Sequence, residues 1–287
     1  MTACSRTRSS TVATAAALVC TFLLTLSGAA VTVAPTASAV APTASAVSLT
    51  AAATGRDVSW PQCPKGVGRG YGLPMPPASA GLVVIGLTAG PGFKANPCLL
   101  SQTRWAKSRH VYAAAYAMTT FPTGSQLARY RSSGPYRATT YARRLANVGF
   151  AQARFNVASL RRAGLASPIV WVDVEPYTPG WTANKAANKA VIDGVVRGYR
   201  SAGYRVGFYS IPQMWSKIMG TARYRFPEWR TAGARGQAVA KARCARSYSF
   251  QGGGAVLSQW WGPSVDYNTT CPSANTPALL STYFHKY

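Results

Sequence analysis

The chain has 287 residues, with 31 Lys and Arg against 6 Asp and Glu, for a formal charge of +25. A hydrophobic fraction of 48% and an aromatic fraction of 11% exclude a disordered basic tail and leave room for one large or two modest domains with full cores. Two His leave little scope for imidazole chemistry, and a pI near 10.5 favours polyanionic partners.

Arg6 and Arg8 precede a nearly unbroken apolar run over residues 12–26. Small-x-small sites follow at Ala37-Ser38-Ala39 and Ala44-Ser45-Ala46, inside a duplicated Ala-Pro-Thr-Ala-Ser-Ala-Val. This is the layout of a secretory signal peptide; the rival is a membrane anchor over residues 12–33. Residues 1–46 are therefore expected to be signal and linker, and residues 47–287 a single exported domain with no stable membrane insertion after cleavage. Cys63, Cys98, Cys244 and Cys271 remain in that domain. Export makes two disulfides the expectation, with three possible connectivities, and the local pairs Cys63–Cys98 and Cys244–Cys271 are favoured because they close short loops. No two of these cysteines stand at C-x-x-C spacing and neither His lies near a pair, so no metal or cofactor is expected.

Apolar, β-branched or aromatic runs occur at residues 57–60, 81–88, 111–118, 168–175, 205–210 and 255–261. Helical patterning fills residues 139–163 and 182–202, the second with Lys189, Asp193 and Arg197 at i, i+4 spacing. Alternating segments of this kind predict an α/β fold with a parallel sheet, open or closed into a TIM-like barrel, although only six or seven strands are readable where eight complete a barrel.

The chemistry concentrates in the few acids. Asp57 opens the first run, Asp173 and Glu175 end Pro-Ile-Val-Trp-Val-Asp-Val-Glu-Pro, and Asp266 lies just past the last run. Residues two apart on a strand share a face, so Trp171, Asp173 and Glu175 point one way and Val170, Val172 and Val174 the other. Carboxylates at the strand ends of a parallel barrel converge on its mouth. Convergent carboxylates are what glycosidic cleavage needs, one protonated for the leaving oxygen and one to stabilise an oxocarbenium-like state. A single strand-end acid is more often a cap or an Arg partner; four of six in that position favour a site. Trp60, Trp171, Trp181, Trp260 and Trp261 all lie within six residues of one of these acids, as platforms for sugar rings. Asp193 fits a solvated helix pair, and Glu228 has no evident place.

The pieces Asp-Val-Ser-Trp-Pro-Gln, Gly-Leu-Val-Val-Ile-Gly-Leu-Thr-Ala-Gly, Val-Asp-Val-Glu, Arg-Val-Gly-Phe-Tyr-Ser and Leu-Ser-Gln-Trp-Trp-Gly…Val-Asp-Tyr-Asn follow an order that resembles glycoside hydrolase family 25, the Chalaropsis-type lysozymes. The resemblance runs from Asp57 to Asn268. It implies an irregular β/α barrel that hydrolyses the bond between N-acetylmuramic acid and N-acetylglucosamine in peptidoglycan. By position, Glu175 resembles the general acid and Asp173 the residue that orients the substrate acetamido group or stabilises the developing cation. Asp57 and Asp266 match the flanking acids of the family's cleft. Tyr116, Tyr209 and Gln259 resemble cleft-lining groups; Trp60, Tyr177 and Trp261 complete the candidate substrate contacts. The chain departs from the family at Leu87-Thr88-Ala89-Gly90, which lacks a Lys and an acid, and at Tyr116-Ala117-Met118, which lacks a His. A barrel that binds wall glycan or an anionic surface polymer with weak or no turnover is therefore the alternative to a lysozyme-like glycosidase.

His110 and His285 have no Ser or Cys partner motif, which argues against a Ser-His-Asp enzyme. Gly252-Gly253-Gly254 lacks P-loop and Rossmann spacing and reads as a loop. Asn268-Thr269-Thr270 matches a glycosylation sequon but overlaps the acid motif. Arg pairs such as Arg143/Arg144 and Arg161/Arg162 are scattered over helices. They predict a basic exterior without a specific nucleic-acid element. The expected setting is a bacterial cell wall or its surroundings, with charge drawing the protein to anionic wall polymers.

Overall fold

A computed structural model of the chain describes residues 51–177 and 180–287; the signal and linker expected before residue 47 lie outside the described residues. Nine strands are present there: β1 (Thr54–Val58), β2 (Leu82–Gly86), β3 (Tyr112–Met118), β4 (Ile169–Asp173), β5 (Arg205–Ser210), β6 (Glu228–Thr231), β7 (Ala255–Trp261), β8 (Asp266–Thr270) and β9 (His285–Lys286). They hydrogen-bond in the order β2-β1-β8-β7-β6-β5-β4-β3-β9, and an added β2–β3 pairing closes the first eight into a barrel. The helices are α1 (Leu99–Ser108), α2 (Gly124–Tyr130), α3 (Tyr141–Ala163), α4 (Lys185–Ser201), α5 (Pro212–Met219), α6 (Gly236–Ala242) and α7 (Thr276–Tyr283).

Period-two alternation builds the barrel. Leu82 and Val84 of β2, Ile169 and Trp171 of β4, Trp229 of β6 and Leu257 of β7 form an inner cluster, which Leu280 and Phe284 extend. The intervening residues Val83, Ile85, Val170, Val172 and Phe208 pack outward against Ala153, Val157, Val195 and Tyr199 of α3 and α4. The α3–α4 contact is close because each helix offers a glycine to the other's backbone. A Cβ on Gly149 would stand 1.9 Å from the Val191 carbonyl oxygen, and one on Gly194 would stand 1.9 Å from that of Ala146.

Both helices begin and end where their sequences dictate. The Thr140 side chain accepts from Arg143 N–H at the start of α3, and Asn184 accepts from Ala187 N–H at the start of α4. Gly164 ends α3 in the left-handed region, with φ 63°, beyond a last turn bearing Arg161 and Arg162. On α4, Lys189 pairs with Asp193 at 2.8 Å. Arg197, expected to continue that series, instead lies over the Tyr136 ring.

The disulfides are Cys63–Cys98 and Cys244–Cys271, the connectivity favoured on loop length. Strands expected at 205–210 and 255–261 have those bounds. Three expectations are corrected. The barrel is not wholly parallel, because β8 runs antiparallel to both β1 and β7. Asp57 does not open its strand; pairing of Gly55 with Leu82 starts β1 earlier and leaves Asp57 next to its end. Asp266 is not past the last strand but is the first residue of β8. Reversal of β8 makes its amino end coincide with the carboxyl ends of the parallel strands, so Asp266 still reaches the same mouth.

Candidate active site

Asp57, Tyr116, Asp173, Glu175, Tyr209, Trp229, Gln259, Trp261 and Asp266 line one cavity of about 300 Å³. Each acid arrives by a different route. Asp57 is one residue from the end of β1, and Asp266 stands opposite it in register on β8. Asp173 is the last residue of β4, and Glu175 lies two residues further on. The chain between them is fixed by Val174 N–H donating to the Tyr209 carbonyl and by Ser210 Oγ donating to the Val174 carbonyl at 2.8 Å. Trp181 Nε1 donates to the Glu175 carbonyl at 3.1 Å, which holds the backbone while the carboxyl faces the cavity.

Asp57 sits in an amide cradle. Gln259 Nε2 donates to its Oδ1 at 3.0 Å, and Asn268 Nδ2 donates to the same oxygen at 2.6 Å. Both amides are themselves oriented: Tyr209 Oη donates to Gln259 Oε1 at 2.8 Å, and Trp229 Nε1 donates to Asn268 Oδ1 at 2.8 Å. The Asn268 carboxamide is thus bonded at both its nitrogen and its oxygen in a buried side chain, which argues against the sequon as a modification site of the folded protein. Asp173, also buried, keeps one oxygen, Oδ1, with no protein donor.

Burial pushes all four carboxyls upward, and like charge adds to this for Asp57, Asp173 and Glu175. Desolvation, with the charge of Asp266, pushes Asp57 up to about 8 against the pull of its two amide donors. Desolvation and Asp266 push Glu175 up to about 7. Asp173 rises well above the carboxylate range through burial and the charges of Glu175 and Asp57. Asp266 is held lowest, at about 6, because the Arg56 guanidinium offsets its desolvation. The cavity therefore offers protonated and ionised carboxyls together near neutrality, the division an acid-catalysed displacement requires. Tyr116 and Tyr209, raised first by burial and then by these charges, stay neutral hydroxyl donors. Among the described residues no His, Cys, Asp and Glu group could hold a metal ion.

The family described as "Lysozyme-like protein 1" matches residues 139–233, the stretch from the start of α3 through β6 that contains Asp173 and Glu175. A curated relative, "Probable GH family 25 lysozyme 4" of Dictyostelium discoideum, is 35% identical over 63 residues, 21% of this chain and 29% of that protein. The chain thus spans less than a third of that relative's length. Among solved structures, a family GH25 lysozyme from Aspergillus fumigatus superposes with a TM-score of 0.52 at 14% identity, covering 81% of this chain and 99% of that one. A bacterial lysozyme from Streptomyces coelicolor gives 0.50 at 15% identity, covering 81% and 97%. At such identities the superpositions speak for the fold.

Over residues 139–233 the chain is similar to a lysozyme-like family, and its barrel shares the fold of the GH25 lysozymes.

The barrel brings together eight of the ten residues expected at the site: Asp57, Asp173, Glu175, Asp266, Tyr116, Tyr209, Gln259 and Trp261. It does not bring Trp60, whose ring packs edge-on against Tyr71, or Tyr177, which lines a separate cavity with Trp181. Trp171 is fully buried in the barrel, and Trp260 stacks on Tyr267. The sequence reading missed Trp229 and the positioning role of Asn268. Alternation within Glu-Trp-Arg-Thr was the available signal for Trp229, since it alone sends the tryptophan inward. Glu228 proves structural. It is fully buried, accepts from Arg230 Nε at 2.8 Å, and accepts from the backbone N–H groups of Phe250, Gln251 and Gly253.

Proposed function

We propose that this domain is a muramidase-type glycoside hydrolase acting on the β-1,4 bonds of peptidoglycan, exported and working at or near a cell wall. The observation that carries this reading is the convergence of four of the chain's six acids on one cavity, with Glu175 pushed up to about 7. In that state Glu175 donates its proton to the glycosidic oxygen as the bond to the anomeric carbon breaks. Positive charge developing on the sugar is stabilised by the carboxylate of Asp266, held lowest of the four, while Asp173 is placed to orient an acetamido group. Glu175, now ionised, takes a proton from the water that completes hydrolysis, and the acid is restored. Trp261, 47% exposed, and Trp229 offer aromatic surface to the sugar rings. Tyr116, Tyr209 and Gln259 supply hydrogen bonds.

The structural neighbours and the curated relative named above are lysozymes, which supports a wall glycan as substrate. A net charge of +25 supports accumulation on anionic wall polymers, an attraction weakened by salt. A glycan-binding barrel without turnover is favoured by one feature, the loss of charged neighbours at Leu87-Thr88-Ala89-Gly90 and Tyr116-Ala117-Met118. Release of soluble muropeptides from purified peptidoglycan decides between them. The wild type is expected to release them at least about a hundredfold faster than Glu175→Gln; equal background release from both proteins leaves only binding.

A further inference from the structure

Glu175 lines the first cavity, and the next residue, Pro176, lines a second of about 410 Å³. Tyr177, Trp181, Lys185, Lys217 and Ile218 line this second cavity, and among the described residues no acid does. Trp181 links the two, since its indole donates to the Glu175 carbonyl. Lys185 is held in place: its stem runs beside Gly220 and its ammonium donates to the Lys217 carbonyl, which leaves two N–H donors for a ligand. Aromatic walls with two ammonium groups suit a ligand whose carboxylates are carried on an apolar, extended backbone.

The substrate proposed above carries such a group. Each N-acetylmuramic acid bears on its lactyl ether a short peptide with free carboxylates, attached to the sugar whose anomeric bond is cut. Glu175 and Pro176, consecutive in the chain, line the two cavities in turn, so a sugar held at Glu175 has the second cavity beside it. We infer that the second cavity is a subsite for the peptide stem, with Lys185 and Lys217 pairing with its carboxylates and Tyr177 and Trp181 packing its aliphatic parts. This inference rests on the hydrolase reading and adds to it a preference for peptide-bearing glycan over bare glycan.

The test compares soluble glycan chains that keep their stems with the same chains stripped by an amidase. The wild type is expected to show kcat/KM about fivefold higher on stem-bearing chains, a factor in keeping with two exposed ion pairs. In Lys185→Gln/Lys217→Gln this ratio falls to near one, and in Lys185→Glu/Lys217→Glu it falls below one. A wild-type ratio of one, or a ratio unaltered in both double variants, overturns the subsite. Binding of a disaccharide-tetrapeptide and of the bare disaccharide to Glu175→Gln reads the same preference without turnover. Failure to cleave either chain type therefore counts against the hydrolase alone, while equal binding of the two ligands counts against the subsite.

Discussion

Asp57 and Asp266 face each other in register across the antiparallel β1–β8 pair. Like charges directly opposite on neighbouring strands destabilise a sheet, and here both sit in a cavity with two further carboxyls. Such an arrangement is tolerated only when protons are shared among the group.

Stability should therefore fall as pH rises. The folded-state values of Asp57, Glu175 and Asp266 lie at about 8, 7 and 6, all above the unfolded carboxyl range near 4. Between about pH 4 and 8 the folded protein binds protons that the unfolded chain has released, so their contribution is complete below pH 4 and lost by pH 8. Thermal unfolding should show a Tm about 5 °C higher at pH 5 than at pH 8, and Asp57→Asn should flatten the slope. A higher Tm at pH 8 contradicts the assignment.

Arg56 should set the acidic limb of activity. Its guanidinium is what holds Asp266 lowest of the four, while it also lies over the Tyr267 ring at 4.3 Å. Arg56→Gln is expected to move the acidic limb of the kcat/KM profile upward by up to about one pH unit, narrowing the bell toward the alkaline limb near 7. The limbs belong to the coupled set of carboxyls. A profile displaced as a whole, or not at all, removes Arg56 from this role.

The Glu228–Arg230 pair should matter to the fold well beyond its own strand. Arg230 also donates to the Arg243 and Ala245 carbonyls at 2.7 Å, so the pair pins residues 243–253 beside the Cys244–Cys271 disulfide. Arg230→Met leaves a buried carboxylate without its cation and should cost about 3–5 kcal/mol in urea unfolding. A loss below about 1 kcal/mol places the pair among ordinary surface bridges.

Closeness of α3 and α4 makes their glycines intolerant of change. Gly149→Ala or Gly194→Ala places a methyl within 2 Å of a carbonyl oxygen, forcing the helices apart. A loss of at least about 1–3 kcal/mol is expected from denaturant melts of either variant, although alanine is the better helix former. A neutral or stabilising effect shows that the helices can separate freely.

Most of the site was legible because β4 announces itself: Ile-Val-Trp-Val-Asp alternates between the barrel interior and the helix layer, so Asp173 and Glu175 share a face by arithmetic alone. Strands β5 and β7 are apolar enough to be bounded correctly. Strands β6 and β8 were hidden because their residues, Glu-Trp-Arg-Thr and Asp-Tyr-Asn-Thr-Thr, are mostly polar although largely buried. Several of their polar groups are satisfied by partners far away in sequence, as Asn268 is by Asp57, 211 residues distant. Reversal of β8 was invisible for a similar reason, since direction is set by pairing and not by composition. Trp60 and Tyr177 show the limit of proximity in sequence: nearness to an acid places a ring on the same loop, not in the same cavity.

The seam between β1 and β8 has a consequence for the order in which the molecule comes together. The barrel closes only when residues 266–270 reach a strand laid down more than 200 residues earlier, a long-range pairing that forms late and slowly. Asp57 and Asp266 lie on opposite sides of that join, so the carboxyl cluster does not exist in any open form of the chain. A site built across this join stays silent in a partly folded chain and becomes competent with the fold itself.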